Sequence, residues 1–197
     1  MVNRPLQEQI DTLIDIVLKN PYNKQILQSN PFPIPIPWYL GAGCICQSVW
    51  NYVSGKKPEE NIKDYDLIYY DAKDISKKTE EKEQQRIKKL FASLPIKFDV
   101  VNEARVHTWF EKDFGKKIDQ LPSCEDAINR WPTTANSIGI NRIHNKFNVY
   151  APYGLNDLFG MVVRPNKPSV IKWVYKKKVK QWTTIWPMLK VIPWIDK

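Results

Sequence analysis

The stretch 38–71, WYLGAGCICQSVWNYVSGKKPEENIKDYDLIYYD, decides how the chain is read. It opens on Trp38-Tyr39-Leu40, an apolar triplet that reads as a short strand. Gly41-Ala42-Gly43 is the turn after it. Residues 44–52 read as a helix, ended by Ser54-Gly55. A charged loop over 56–63 leads to a second strand over 64–71. Side chains alternate along a strand, so Asp64 and Asp66 share one face with Ile68 and Tyr70, and Tyr65, Leu67 and Tyr69 take the other. A strand apolar on both faces belongs inside its sheet. Two carboxylates held there repel each other unless they are protonated or bridged by a cation. Together with substrate phosphates they meet the oxygen-rich demand of Mg²⁺ (or Mn²⁺).

A third carboxylate is expected on a neighbouring strand. Asp99, in Lys97-Phe98-Asp99-Val100-Val101, is the candidate, with Glu103 and Asp71 as substitutes. Three such groups around metal can activate a hydroxyl and stabilise a leaving pyrophosphate in phosphoryl transfer. The glycine turn offers the other half of such a site. Glycine permits positive φ and close approach of a ligand to the backbone. The helix that follows presents unpaired amides and a partial positive charge to a triphosphate.

Upstream, Leu6, Ile10, Leu13, Ile14 and Val17 recur at helical spacing, which predicts an amphipathic helix over 5–19 with Pro5 in its first turn. A short helix is expected over 22–28. Pro31, Pro33, Pro35 and Pro37 exclude helix and predict an extended surface connector. Downstream, Ile87, Leu90 and Phe91 mark the buried stripe of a charged helix over 79–92. Residues 102–113 read as helical, with Ala104, Val106, Trp109 and Phe110 apolar. Ser123 followed by Asp126 caps a helix that runs to 131. Residues 134–150 read as a hairpin around His144-Asn145-Lys146, and 155–159 as a short helix. Alternating strands and helices place the chain in the α/β (α+β) class. One domain over 1–197 is expected, with an N-terminal helical segment (1–30), a core (38–150) and a C-terminal appendage (151–197).

With 43% hydrophobic residues the chain can build a packed core. No apolar run approaches the ~20 residues that span a bilayer, so no membrane partner is expected. The N-terminus has no apolar signal core, and Cys44, Cys46 and Cys124 make an odd set without metal-ligand spacing. Reduced thiols in a cytoplasmic protein follow as the expectation. A net charge of +9 favours polyanionic partners. His107, on the helix after Asp99, and His144, in the hairpin turn, read as structural and exposed respectively. Pro132-Thr133-Thr134 presents hydroxyls to a ligand or spends them on a turn. The last thirty residues mix Trp173, Trp182, Trp186 and Trp194 with Lys176, Lys177, Lys178 and Lys180. The lysines and rings suit a stacking, charge-neutralising surface for nucleic acid, or the tryptophans anchor the segment to the core.

A glycine turn at a helix start, a strand with DxD and a later strand with one acid resemble the nucleotidyltransferase superfamily of polymerase β and the antibiotic- and tRNA-modifying enzymes. More closely, the chain resembles a nucleotidyltransferase-like family of bacteria and fungi. The matching blocks are WYLGAGCICQSVWN, IKDYDLIYYD, FDVVNEARVHTWF, RWPTTANSIGI, APYGLNDLFGMVVRPN and KQWTTIWPML, spread over 38–189. The resemblance implies a nucleotidyltransferase fold, a mixed central sheet flanked by helices, with Asp64, Asp66 and Asp99 as catalytic metal ligands. It implies no particular substrate; the reaction expected from the residues is transfer of a nucleoside monophosphate from an NTP, seated at Gly41, Ala42, Gly43 and Cys44, to an acceptor (small molecule, protein or RNA), without an obligate protein partner. Where the superfamily has Gly-Ser, this chain has Gly43-Cys44, and no arginine stands near Cys46. Lys63 and Arg105 are the basic residues expected to compensate. The cysteines also motivate a second reading, a non-catalytic module that keeps the fold and binds nucleotide or RNA.

Overall fold

The computed structural model describes residues 1–33, 35–167 and 171–195. Its centre is a five-stranded mixed sheet in the order β3-β2-β1-β4-β5, formed by β1 (Trp38–Gly41), β2 (Tyr65–Tyr69), β3 (Phe98–Asn102), β4 (Gly139–Ile143) and β5 (Lys146–Tyr150). Only β2 and β3 run parallel; the other neighbours are antiparallel. The parallel pair requires a crossover, which α4 (Lys77–Leu90) supplies. Ser76 caps that helix by accepting from the Thr79 N–H.

The period-2 reading of the strands holds. Tyr65, Leu67, Tyr69, Phe98 and Val100 feed the main apolar cluster on one face, and Ile68 packs on the other face with Tyr39, Cys124 and Ile128. The main cluster receives Leu13, Ile16 and Val17 from α1 (Leu6–Val17) and Ile26 and Leu27 from α2 (Pro21–Ser29). Asn20 caps α2 and also reaches Ser48 and the Tyr65 hydroxyl, while Asn23 donates to the Cys44 carbonyl. These buried polar contacts pin α3 (Gly43–Val53) to the N-terminal helices.

The proline run is not purely a surface connector. Phe32, lodged between Pro31 and Pro33, is 1% exposed and stacks on Tyr69 at 5.0 Å. The prolines set the backbone, and one aromatic side chain gains enough by burial to anchor it. Pro33, Pro35 and Pro37 stay exposed, and Ile34 lies outside the described residues.

The lysine- and tryptophan-rich tail contains a helix that the sequence reading did not assign, α8 (Lys172–Ile185). Trp50 of α3 meets Trp182 and Trp186 edge-on, at 5.2 and 5.5 Å. The Trp186 indole N–H donates to Asn51 Oδ1 at 2.9 Å, and the Trp50 N–H to the Leu158 carbonyl at 3.2 Å. The tryptophans therefore anchor, and β6 (Val162–Val163) and β7 (Lys190–Val191) close the end of the chain by parallel pairing. Trp173 alone of the four stays largely exposed. Among the described residues no helix is long and apolar enough to cross a membrane, and the three cysteines are free and buried.

Trp50→Ala is expected to cost about 3–5 kcal/mol, because it empties a fully buried site and releases both partner rings. Guanidinium unfolding followed by far-UV circular dichroism measures this; a loss under about 1 kcal/mol contradicts the packing account.

Candidate active site

Strand register brings the predicted carboxylates together. Gly41 pairs with Asp66 across β1 and β2, and Asp66 pairs with Asp99 across β2 and β3. Residues opposite one another on neighbouring strands project to the same face. Asp64, Asp66 and Asp99 therefore share the sheet face away from the main core. With Glu103, in the 3₁₀ turn Glu103–Arg105, they line a cleft of about 1160 Å³. α5 (His107–Phe114) and α6 (Cys124–Ile128) flank one side of it and α8 another.

The turn works differently from the expectation that its glycines supply positive φ. Ala42 carries it, at φ 54° and ψ −123°, a conformation that costs a side-chain-bearing residue about 1–3 kcal/mol. Gly41 is needed for space. A Cβ there would lie 2.5 Å from the Trp131 ring and 2.8 Å from the Ile138 carbonyl. At Gly43 a Cβ would lie 2.9 Å from the Gln47 amide nitrogen and 3.8 Å from Asp66 Oδ2. The Gly43 N–H donates to the Asp66 carboxylate, and α3 has no side-chain N-cap. Ala42 and Gly43 line the cleft.

The thiols turn inward. Cys44 Sγ donates to the Gly41 carbonyl at 3.1 Å and Cys46 Sγ to the Gly43 carbonyl at 3.7 Å. Burial raises the pKa of the Cys44 thiol well above its usual value and that of Cys46 to about 12, so both stay protonated and inert. Cys44 thus has only its backbone N–H to offer at the turn.

Negative charge accumulates on the floor. The pKa of Asp66 is pushed up to about 7, first by burial and then by Asp64 and Asp99; Lys178 and the Gly43 N–H act against the shift. That of Asp99 is raised by the surrounding protein and by Asp64, although its side chain is exposed. Glu103, 5% exposed, is pushed up to about 8 by burial, then by Asp66, Glu80 and Asp99. Asp71 lies outside this group, accepting from the Lys73 N–H in a local turn.

The cations are only partly those expected. Lys63 lines the cleft and sits 3.5 Å from Asp64, with most of its side chain in solvent. Arg105 does not reach the cleft. It is buried, donates to the Ile75 carbonyl and pairs with Glu80 at 2.5 Å, because the 3₁₀ turn points it towards α4. A cation not singled out in the sequence for this site is Lys178 of α8, which lines the cleft, lowers the pKa values of both Asp66 and Cys46 and lies 5.3 Å above the Trp182 ring. Lys178, Trp182 and Trp186 recur at four-residue spacing, the one signal in the sequence by which the helix and its inward lysine could have been found.

The softer candidates stay structural. His107 is half-buried and does not line the cleft, and His144 is exposed in its turn. Thr133 caps the 3₁₀ turn Thr134–Asn136, and the Thr134 hydroxyl donates to Asp157. Asn136, held through its Oδ1 by Thr133, lines the cleft instead.

Among the described residues no three His, Cys, Asp or Glu side chains are gathered closely enough to hold an ion unaided. Mg²⁺ does not require that: it takes one or two protein carboxylates and completes its shell with water and substrate phosphates. The donor set is all oxygen, its carboxylates raise one another's pKa, and both neighbouring thiols are turned away. These residues fit a hard divalent cation.

The sequence profile of a family described as nucleotidyltransferase matches residues 36–191. No curated protein matches the chain in sequence. Among solved structures, an NMR structure described as revealing a CCA-adding enzyme head domain superposes with a TM-score of 0.73 at 20% identity, covering 92% of this chain and 95% of that one. At that identity the likeness shows the fold: a mixed sheet flanked by helices, as in a nucleotidyltransferase head domain.

Asp66 and Glu103 bind protons more tightly folded than unfolded, so ionising them destabilises the metal-free protein. That penalty is absent below about pH 4, grows as pH rises, and is complete only above about pH 9, one unit beyond the folded value of Glu103. The metal-free chain is therefore expected to lose about 1–3 kcal/mol between pH 5 and 8, and Asp66→Asn to recover part of it at pH 8. Urea unfolding across that range checks it; a flat profile contradicts the charge account.

Proposed function

The chain belongs to the nucleotidyltransferase family, and we propose that it moves a nucleoside monophosphate from an NTP to a hydroxyl of an acceptor, with Mg²⁺ or Mn²⁺. The observation that carries this reading is the register that sets Gly41, Asp66 and Asp99 side by side with Asp64 on the same face. Asp64, Asp66 and Asp99 are the residues that would hold the cation. When bound, the cation neutralises triphosphate charge and favours an ionised acceptor hydroxyl.

The protein's own groups divide the remaining work. The uncapped amides at the start of α3 receive phosphate oxygens, supported by the positive end of the helix. Lys178 and Lys63, both lining the cleft, supply positive charge as point charges rather than forks. Asp99, exposed and raised in pKa, is placed to take the acceptor's proton. The hydroxyl oxygen then forms a bond to the α-phosphorus while the bond to the pyrophosphate oxygen breaks in line with it.

A second reading has its own observation. The thiol of Cys44 is buried where a phosphate-touching hydroxyl is expected, and Cys46, also buried, lies where an arginine is expected nearby, which favours a module that binds nucleotide without turning it over.

Labelled NTPs with Mg²⁺ or Mn²⁺ and pooled small-molecule, protein and RNA acceptors separate the two. Transfer predicts pyrophosphate release that stops on chelation and falls at least ~10²-fold in Asp66→Asn. Binding without release moves the protein to the second reading, and no NTP binding at all overturns both. Lys178→Ala is expected to raise KM for the NTP roughly tenfold, with Lys178→Arg restoring most of it; an unchanged KM removes Lys178 from the phosphate site.

A further inference from the structure

One side chain in the cleft has no role in phosphoryl transfer. Asp99, Val101 and Glu103 alternate along the chain as β3 runs into its 3₁₀ turn, and all three line the cleft. Glu103 is 5% exposed, it lines the cleft, and the charges that act on it, from Asp66, Glu80 and Asp99, are all negative. Its neighbour Arg105 is committed to Glu80. A buried carboxylate among like charges costs stability. Such a group, lining a cavity, is poised for donors that arrive with a ligand.

The surroundings define that ligand. The same cleft is lined by apolar and aromatic side chains, Trp109 and Phe110 from α5, Leu121 and Trp131, with Arg130 and Lys117 among them. The two tryptophans and Phe110 are half-buried, with ring surface left for a flat partner. The cleft, at about 1160 Å³, is larger than the roughly 300–1,000 Å³ of a site for one small ligand, so it has room beyond the phosphates. Four residues of strand separate Asp99 from Glu103, about 13 Å at a rise of ~3.3 Å per residue. An extended nucleotide spans a comparable distance from its phosphates to the hydrogen-bonding edge of its base.

Resting on the nucleotidyl-transfer reading above, we propose that this chamber is the base pocket of the NTP, and that Glu103 selects guanine. Burial and the neighbouring carboxylates hold the empty-site Glu103 mostly protonated at neutral pH, and two donors arriving together stabilise its ionised form, which has two acceptor oxygens and no donor. Guanine alone among the four bases offers two adjacent donors, its ring N–H and its amino group. Adenine and cytosine offer one amino group beside a ring acceptor, and uracil one N–H between two carbonyls that repel the carboxylate.

Calorimetric titration of the full chain with GTP, ATP, CTP, UTP and ITP, at fixed Mg²⁺, tests the assignment. GTP is expected to bind at least ~10-fold more tightly than the other three, and ITP, which lacks the amino group, to lose about as much. Glu103→Gln is expected to erase the preference. Glu103→Leu is expected to erase it while raising the melting temperature, a pairing that a purely structural role does not produce. Equal binding of all NTPs overturns this proposal and leaves nucleotidyl transfer standing. So does guanosine binding additively beside saturating ATP, which places the ring in the acceptor. Absence of any NTP binding overturns both readings.

Discussion

Like charges forced together on one sheet face are the constraint on which the rest of this structure depends. Asp66 sits at the crossing of two registers, facing Gly41 on one side and Asp99 on the other, with Asp64 one pleat away. Nothing in the strand pairing relieves the repulsion; the parallel pairing of β2 with β3 creates it. The opposite face of the same strands is dense with Tyr65, Leu67, Tyr69, Phe98 and Val100, and that burial holds the strands in register. A face that packs and a face that repels are thus two sides of one alternation.

The countercharge comes from far away in sequence. α8 docks through tryptophans, with Trp50 receiving Trp182 and Trp186 edge-on. Aromatic pairs of this kind fix orientation as well as bury area. That orientation matters because Lys178 lies one helical turn before Trp182, above its ring and facing Asp66. The ring restrains the ammonium while the lysine stem covers it. Core packing and site electrostatics therefore share one helix: the residues that seal the end of the core also deliver the cation.

The legible and illegible parts of the sequence divide along physical lines. The DxD strand and Asp99 could be read because a period of two is stated within five residues, and register is implied once both faces are assigned. The helices with clear caps, at Asn20, Ser76 and Ser123, were equally readable. α8 was not, because its run of lysines hides a spacing visible only when Lys178, Trp182 and Trp186 are counted together. Arg105 was misplaced for a related reason. Its proximity to Asp99 in sequence suggested the cleft, whereas the 3₁₀ turn rotates successive side chains and sends it to Glu80. Phe32 and the strained Ala42 depend on tertiary contacts that no local pattern encodes.

The substitution of cysteine where the resemblance leads one to expect serine then takes on a definite meaning. A serine hydroxyl can turn out of the helix to a phosphate, but Cys44 is fully buried and bonded back to Gly41. What remains at the turn is backbone: the N–H groups at the start of α3, one already engaged by Asp66. Backbone donors are set by the φ and ψ of the turn, so the strained Ala42 and the cramped Gly41 determine where they point. The grip on a triphosphate thus moves from a side chain that could be exchanged to a backbone shape and a lysine on a distant helix. Both depend on the same docking of α3 against α8, which joins stability of the C-terminal segment to the competence of the cleft.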